Sequence, residues 1–184
     1  QSKSMKSSVL AHRQIQSEAT SGAACLSFQL NEQTPALFSM SQVQEVIVLP
    51  AQQITPMPNM PSCVLGLSTR RSRVMWLVDL AHMLLSTPLP ANTRSYNVVI
   101  IRVAQRSQQQ NMLVSTAHNQ SLLGLIVPVM RGVVRFPPDL IQTPKGHFAP
   151  SIAPCLRGCL LQQDEMLLVL DAEAIASSPI LQSA

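Results

Sequence analysis

Apolar and polar positions alternate along this chain in short runs. "CLSFQL" (25–30) reads with period two, as a half-buried strand does. "PALFSM" and "VQEVIVL" follow as two more strands, around a Ser41-Gln42 connection that is a short turn or a helical corner. "ITPMPNMPSCVLGL" carries Pro56, Pro58 and Pro61, which donate to no ladder, so its first part predicts an extended surface loop. "CVLGL" and "RVMWLVDL" resume as buried strands. "DLAHMLLS" then turns helical with Asp79 near its N-terminus, and "TPLPANTRS" is a second proline-bearing connector. Beyond it, "YNVVIIRVA" is a strand, "QRSQQQN" a hairpin loop, and "MLVSTA", "SLLGLIVPV" and "RGVVRF" further strands. "PPDLI" predicts a helical turn starting at Pro137, and "QTPKGHFAPSIAP" a long polar loop. "CLRGCLLQ" and "EMLLVLD" pair across a "QQDE" turn. "DAEAIASS" closes the pattern as a C-terminal helix capped by Asp171. Residues 1–21 are a polar, Ser- and Gln-rich tail with one weak helical stretch around Ser8–Glu18.

Short strands at close spacing, with helices only at corners, predict an all-β fold, a barrel or a sandwich. The two halves share a grammar, which points to paired small barrels. The expected organisation is a tail over 1–21, a folded domain over 22–178 holding two barrel subdomains, and a short tail over 179–184.

Composition sharpens this. Of 184 residues, 46% are hydrophobic and only 12% charged, which indicates a well-buried body. No apolar run reaches the ~18 residues that span a bilayer, and the first residues lack the apolar region of a signal peptide, so the expected compartment is the cytoplasm. Cys25, Cys63, Cys155 and Cys159 match no common zinc spacing, even with His147 beside the C-x3-C pair. They read as buried free thiols, with no metal and no cofactor. The net charge of +4 reflects few acids more than many bases, and 3% aromatics leave little for stacking nucleobases.

Candidate chemistry is sparse. His12, His82, His118 and His147 are scattered, and no nucleophile elbow, H-E-x-x-H or phosphate loop occurs. His82 reads as a helix-surface or partly buried histidine, and Asp164-Glu165 as solvated turn charge. Nothing indicates an enzyme. The local concentration of charge is Arg70, Arg71 and Arg73, beside a buried strand.

Several segments resemble, in order, those of the CheW family of chemotaxis coupling proteins. "MSQVQEVIVL" is similar to a family strand ending in V-x-E-[IV], with Val43 and Glu45 in place. "MPNMPSCVLGL" is similar to an N-x-P-x-x-[IV]-x-G segment, with Gly66. "RSRVMWLVDL" is similar to R-G-x-x-[IV]-P-[IV]-[IV]-D-L, with Arg71. "SYNVVIIRV" is similar to the strand that opens the family's second half. "LLGLIVPVMRGVVRFPPDLI" and "CLRGCLLQQDEMLLVLDAEAI" are similar to the later family segments, with Gly124 and Gly158. The chain departs from the family's N-L-R-G, which is here Thr69-Arg70-Arg71-Ser72. A family proline is replaced by Trp76, and a family acid by Pro128.

The resemblance implies two five-stranded SH3-like β-barrels with short corner helices and a C-terminal helix, without catalysis. It implies two partners, the regulatory domain of a CheA-type histidine kinase and the cytoplasmic tip of a chemoreceptor. Nucleic acid and membrane insertion are not expected. It also implies partner-binding roles for Val43, Glu45, Gly66, Arg71, Gly124 and Gly158.

Each of these residues has a plainer role. Val43 is core. Glu45 shares a face with Val43 by period two and is exposed and available to a basic partner group. The glycines serve backbone geometry, and Trp76 is core. Arg71 opens a buried strand with its head in solvent, where it binds a partner carboxylate or pairs with Glu45 or Asp79. Arg70 and Arg73 are solvated, and alternation places Arg71 and Arg73 on one face and Arg70 on the other. Two other readings remain: a basic small-barrel nucleic-acid binder, motivated by the charge, and a scaffold of a specialised motility or surface-sensing array that has lost receptor coupling, motivated by the changed N-L-R-G.

Overall fold

A computed structural model describes residues 22–102, 122–144 and 146–181. The expected helix at 8–18, the hairpin loop at 105–111 and the strand at 112–117 lie outside them. Among the described residues, ten strands form two five-stranded sheets. They are β1 (Ala23–Asn31), β2 (Thr34–Ser39), β3 (Val43–Pro50), β4 (Val64–Arg70), β5 (Arg73–Asp79), β6 (Ser95–Ile101), β7 (Leu122–Val127), β8 (Val129–Phe136), β9 (Leu156–Gln162) and β10 (Glu165–Leu170). Two helices, α1 (Leu80–Leu85) and α2 (Ala172–Ala176), follow β5 and β10.

The first sheet has the order β8-β1-β2-β10-β9 and the second β3-β6-β7-β5-β4. They are built alike. In each, an outer strand flanks an antiparallel pair (β1–β2, β6–β7), a parallel neighbour follows (β10, β5), and that neighbour's own hairpin partner ends the sheet (β9, β4). The halves of the chain are not the two barrels, however. The second sheet is the continuous stretch β3–β7, and the first joins both ends of the described chain. A second correction concerns Pro128. The run read as one strand through Val129 breaks there, because proline supplies no ladder N–H, and the chain passes from β7 in one sheet to β8 in the other.

Alternation sends one side chain in two inward, and each sheet curls around a small cluster of its own. The second sheet encloses Leu49, Met75, Leu77, Val98, Ile100, Leu122 and Ile126. The first encloses Cys25, Leu37, Phe136, Leu160, Leu167 and Val169. The opposite faces meet in one large cluster that includes Leu26, Phe28, Phe38, Leu84, Val99, Leu125 and Ile175. Asp79 caps α1 by accepting the His82 N–H at 3.2 Å and also holds the Leu89 N–H at 3.0 Å. Asp171 caps α2 by accepting the Glu173 N–H at 3.0 Å. No helix among the described residues is long and apolar enough to cross a membrane.

Among the described residues, neither sheet closes by a ladder between its outer strands. A single two-bond bridge does it instead. After β3 the chain makes a 3-10 turn, and Thr55 exchanges bonds of 2.7 and 2.9 Å with Leu67 on β4. After β8 the same arrangement brings Gln142 to Cys159 on β9, with bonds of 2.8 and 2.8 Å. A glycine precedes the bridged residue each time. A Cβ on Gly66 would stand 2.1 Å from the Thr55 carbonyl oxygen, and one on Gly158 would stand 2.7 Å from that of Gln142. Gly124 makes room inside the second sheet, where a Cβ would meet the Leu77 and Val98 side chains at 2.8 Å.

The bridge yields a prediction. Gly66→Ala loses about 3 kcal/mol or more in urea unfolding, from broken bridge bonds plus a backbone conformation reserved for glycine. Gly132, at φ +126° with nothing within 4 Å of an added Cβ, carries only the conformational penalty. Gly132→Ala is therefore the milder variant, by about half.

Candidate functional site

A charged rim stands at the open end of the second sheet, where β3 and the β4–β5 hairpin face each other. It exists because of a bulge. Val43 lies opposite Ile101, but Glu45 lies opposite Ile100, so Gln44 is an extra residue on β3. The extra residue reverses the faces. Val43, 4% exposed, joins the large cluster between the sheets. Glu45 takes the side of Ile100, Ile47 and Leu49, that is, the inside of the second sheet. The expectation that Val43 and Glu45 share a face is therefore wrong, because a bulge shifts the period by one.

The arginines also stand differently than alternation suggested. β4 ends at Arg70 and β5 begins at Arg73. Arg71 and Ser72 form the two-residue turn between them, both with positive φ, 49° and 63°. Arg71 thus opens no strand. Arg70 lies opposite Arg73, and the pairing places both on the side of Ser68, Gly66 and Leu77, the inside of the sheet. Arg70 is accordingly the principal partner of Glu45. Its Nη2 donates to Oε1, and its Nε donates to Oε2 at 3.3 Å. Arg71 Nη2 stands 3.6 Å from the same Oε1, with its side chain 76% exposed.

Glu45 is therefore engaged, not free, and its side chain is only 23% exposed. The hydrogen bond from Arg70 holds its carboxyl below the usual carboxylate range, against burial, which acts the other way. Ser72 occupies the position at which N-L-R-G has glycine, the residue that a positive φ favours.

Of the residues singled out from sequence, Glu45 and Arg71 come together at this rim. Val43, Gly66 and Gly124 lie in the same sheet but serve the core, the bridge and the interior. Gly158 lies in the other sheet, at its bridge. Trp76 is partly buried and packs against the large cluster. Arg70, expected to be solvated and to lie on the face opposite Arg73, is instead paired with Glu45 on the same face as Arg73. Counting back from a two-residue turn would have placed it inward, opposite Arg73.

A second rim was overlooked. At the equivalent end of the first sheet, β8 has its own bulge, with Arg131 as the extra residue. Arg131 Nη1 is 3.7 Å from Glu165 Oε2, at the start of β10. The four cysteines are free and buried. Burial pushes the Cys155 thiol up to about 11, and these thiols belong to the core.

The sign of the Glu45 contribution follows from its lowered folded pKa. The stabilisation is present at neutral pH and is lost as pH falls through that pKa. Hence the melting temperature of Glu45→Gln lies below that of the unaltered chain at neutral pH, and the gap narrows on acidification below the ordinary carboxylate range. A pH-independent gap would show that the carboxylate charge contributes nothing.

Comparison with known proteins agrees with this geometry. The crystal structure of the scaffolding protein TtCheW from Thermoanaerobacter tengcongensis superposes with a TM-score of 0.63 at 16% identity, over 82% of this chain and 90% of that one. At such identity the likeness is one of fold. No curated protein sequence matches the chain. The family described as CheW-like domain matches residues 24–179. With that match over most of its length, and two bridged five-stranded sheets in this arrangement, the chain belongs to the CheW-like domain family.

Proposed function

We propose that the chain is a non-enzymatic adaptor that couples a CheA-type histidine kinase to chemoreceptors. It binds the kinase's regulatory domain and the cytoplasmic receptor tip, and it works in the cytoplasm on membrane-anchored receptor arrays. Family membership supports this reading. The observation that carries it is the division of labour at the rim: Arg70 holds Glu45, and Arg71, on a rigid two-residue turn, presents its guanidinium to solvent. A planar guanidinium so placed takes a partner carboxylate in two parallel bonds. Val46 and Val48, on the other face of β3, are 41% and 67% exposed and offer apolar area beside it.

The charge excess that motivated a nucleic-acid reading lies outside the described residues. These hold eight arginines (70, 71, 73, 94, 102, 131, 135, 157) and eight acids (32, 45, 79, 139, 164, 165, 171, 173).

Titration calorimetry with the purified regulatory domain of a CheA-type kinase from the same genome tests the proposal. Binding in the micromolar range is expected, and Arg71→Glu weakens it about tenfold or more, with the melting temperature kept within a degree or two of the unaltered chain's. Absence of binding to every such domain, at concentrations of about 100 μM, overturns the kinase half of the reading.

One observation favours a second reading, a scaffold without receptor coupling. The Arg70 side chain hydrogen-bonds Glu45 where N-L-R-G has leucine, so the motif arginine shares that carboxylate and reaches it only at 3.6 Å. Rebuilding the motif with Thr69→Asn, Arg70→Leu and Ser72→Gly frees Glu45 for Arg71, already 3.6 Å away. A gain of binding to receptor-tip peptides by the rebuilt chain supports the second reading. Equal binding by both chains removes it.

A further inference from the structure

A cleft of about 360 Å³ opens beside α1, away from both rims. Cys63, on the connector into β4, lines it together with His82 and Met83 on α1. Ser151 and Ile180, from the chain before β9 and after α2, line it as well. None of its lining residues is an Asp, Glu, Lys or Arg. Cys63 and Met83 are buried at the edge of the large cluster between the sheets, and His82 is half-buried.

Two bonds to one residue fix this grouping. The Asp79 N–H donates to the Cys63 carbonyl at 2.8 Å, and the Asp79 carboxylate accepts the His82 N–H at 3.2 Å. Cys63 is thereby held against the turn of α1 that carries His82 and Met83. The Ser151 hydroxyl donates to the Leu84 carbonyl at 2.8 Å, which ties the end of α1 to the chain before β9. The walls of the cleft are therefore set by the fold itself, before any ligand enters.

A thiol, a thioether and an imidazole are an unusual set of donors to share one cleft. Among the described residues, no three His, Cys, Asp or Glu side chains gather as a metal site requires, so zinc has no ligand set here. Thioether sulfur serves only a soft cation, and thiolate with thioether selects copper(I). Charge favours the same ion. A single thiolate neutralises copper(I), which suits a cleft that no charged side chain lines, whereas a divalent ion would keep a net charge there.

We propose that Cys63, His82 and Met83 bind one copper(I) ion, through Sγ, an imidazole nitrogen and Sδ. Binding exchanges one cation for another at Sγ: the copper–sulfur bond forms, the thiol proton leaves to water, and no electron is transferred. None of the three ligands stands at a rim, so the site is independent of any kinase or receptor contact.

Competition of the full chain with bicinchoninate for copper(I), under reducing and oxygen-free conditions, tests it. The chain is expected to withdraw one equivalent of copper(I) from the indicator. Met83→Leu exchanges the thioether for hydrocarbon of similar volume and so keeps the packing. Met83→Leu and His82→Gln each weaken copper(I) binding about tenfold or more, since even groups behind a metal's ligands are worth that much. Cys63→Ser abolishes it. Thermal melts of the metal-free variants show that Met83→Leu and His82→Gln remain folded. X-ray absorption of the loaded chain shows sulfur and nitrogen neighbours together, and Met83→Leu lowers the sulfur count.

A chain that withdraws no copper(I) from the indicator overturns the proposal. So does uptake that Met83→Leu and His82→Gln leave unchanged, because any thiol of the chain would then serve. Zinc(II) held as tightly as copper(I) overturns it as well, because the thioether would then play no part.

Discussion

Each sheet depends on one close approach of backbone to backbone. Five strands in the observed order leave two outer strands with open edges, and a curled sheet of this size holds only six or seven buried side chains inside it. The Thr55–Leu67 and Gln142–Cys159 bridges draw those edges together and seal the small interiors. Glycine is required because the carbonyl of the bridging residue occupies the volume of a side chain. The rims follow from this closure. Once Thr55 is pinned to β4, the start of β3 stands opposite the end of β4, and Glu45 comes within reach of Arg70.

The interleaved path of the chain then makes a frame of the two sheets. Crossings after β2 and at Pro128 carry the backbone from one sheet to the other, so neither sheet is a separable unit. Gln42, in the first crossing, donates to Asp171 Oδ1 at 3.2 Å and accepts the Ala172 N–H at 3.2 Å, which fastens the crossing to the start of α2. With the large apolar cluster behind it, this holds the exposed groups at the strand ends in fixed positions, as a surface that recognises other proteins requires.

Much of this was legible in the residues and some was not, for definite reasons. Period-two runs, proline-bearing connectors and the capping aspartates Asp79 and Asp171 marked most elements correctly, because those signals are local. The glycines were read as points of close backbone approach, which Gly66 and Gly158 are, but their partners Thr55 and Gln142 were invisible, since a bridge depends on tertiary closure. The faces of β3 were misread because the bulge at Gln44 leaves no mark in the alternation of "VQEVIVL". Arg71 was taken into a strand because "RSRVMWLVDL" reads as a continuous run. The two positive φ values that make Arg71 and Ser72 a turn occur at residues that do not announce them.

The doubled arginine at the rim has a physical reading that neither arginine has alone. A single arginine bound to Glu45 has to leave it to meet a partner, and the carboxylate then loses the hydrogen bond that holds its pKa down. With Arg70 on the strand and Arg71 on the turn, one cation hydrogen-bonds Glu45 while the other touches it only at 3.6 Å and stays largely in solvent. The two differ in surroundings as that division requires: the Arg70 side chain is 35% exposed and Arg71 is 76% exposed. An exposed ion pair adds little to stability by itself, so the Arg70 pair matters mainly for orientation. It fixes the hairpin on which Arg71 is carried, and Arg71, whose guanidinium reaches the same carboxylate at 3.6 Å, keeps most of its side chain in solvent. The departure from the family motif at Arg70 thus changes the charge pairing at the rim while leaving the curled sheet beneath it intact.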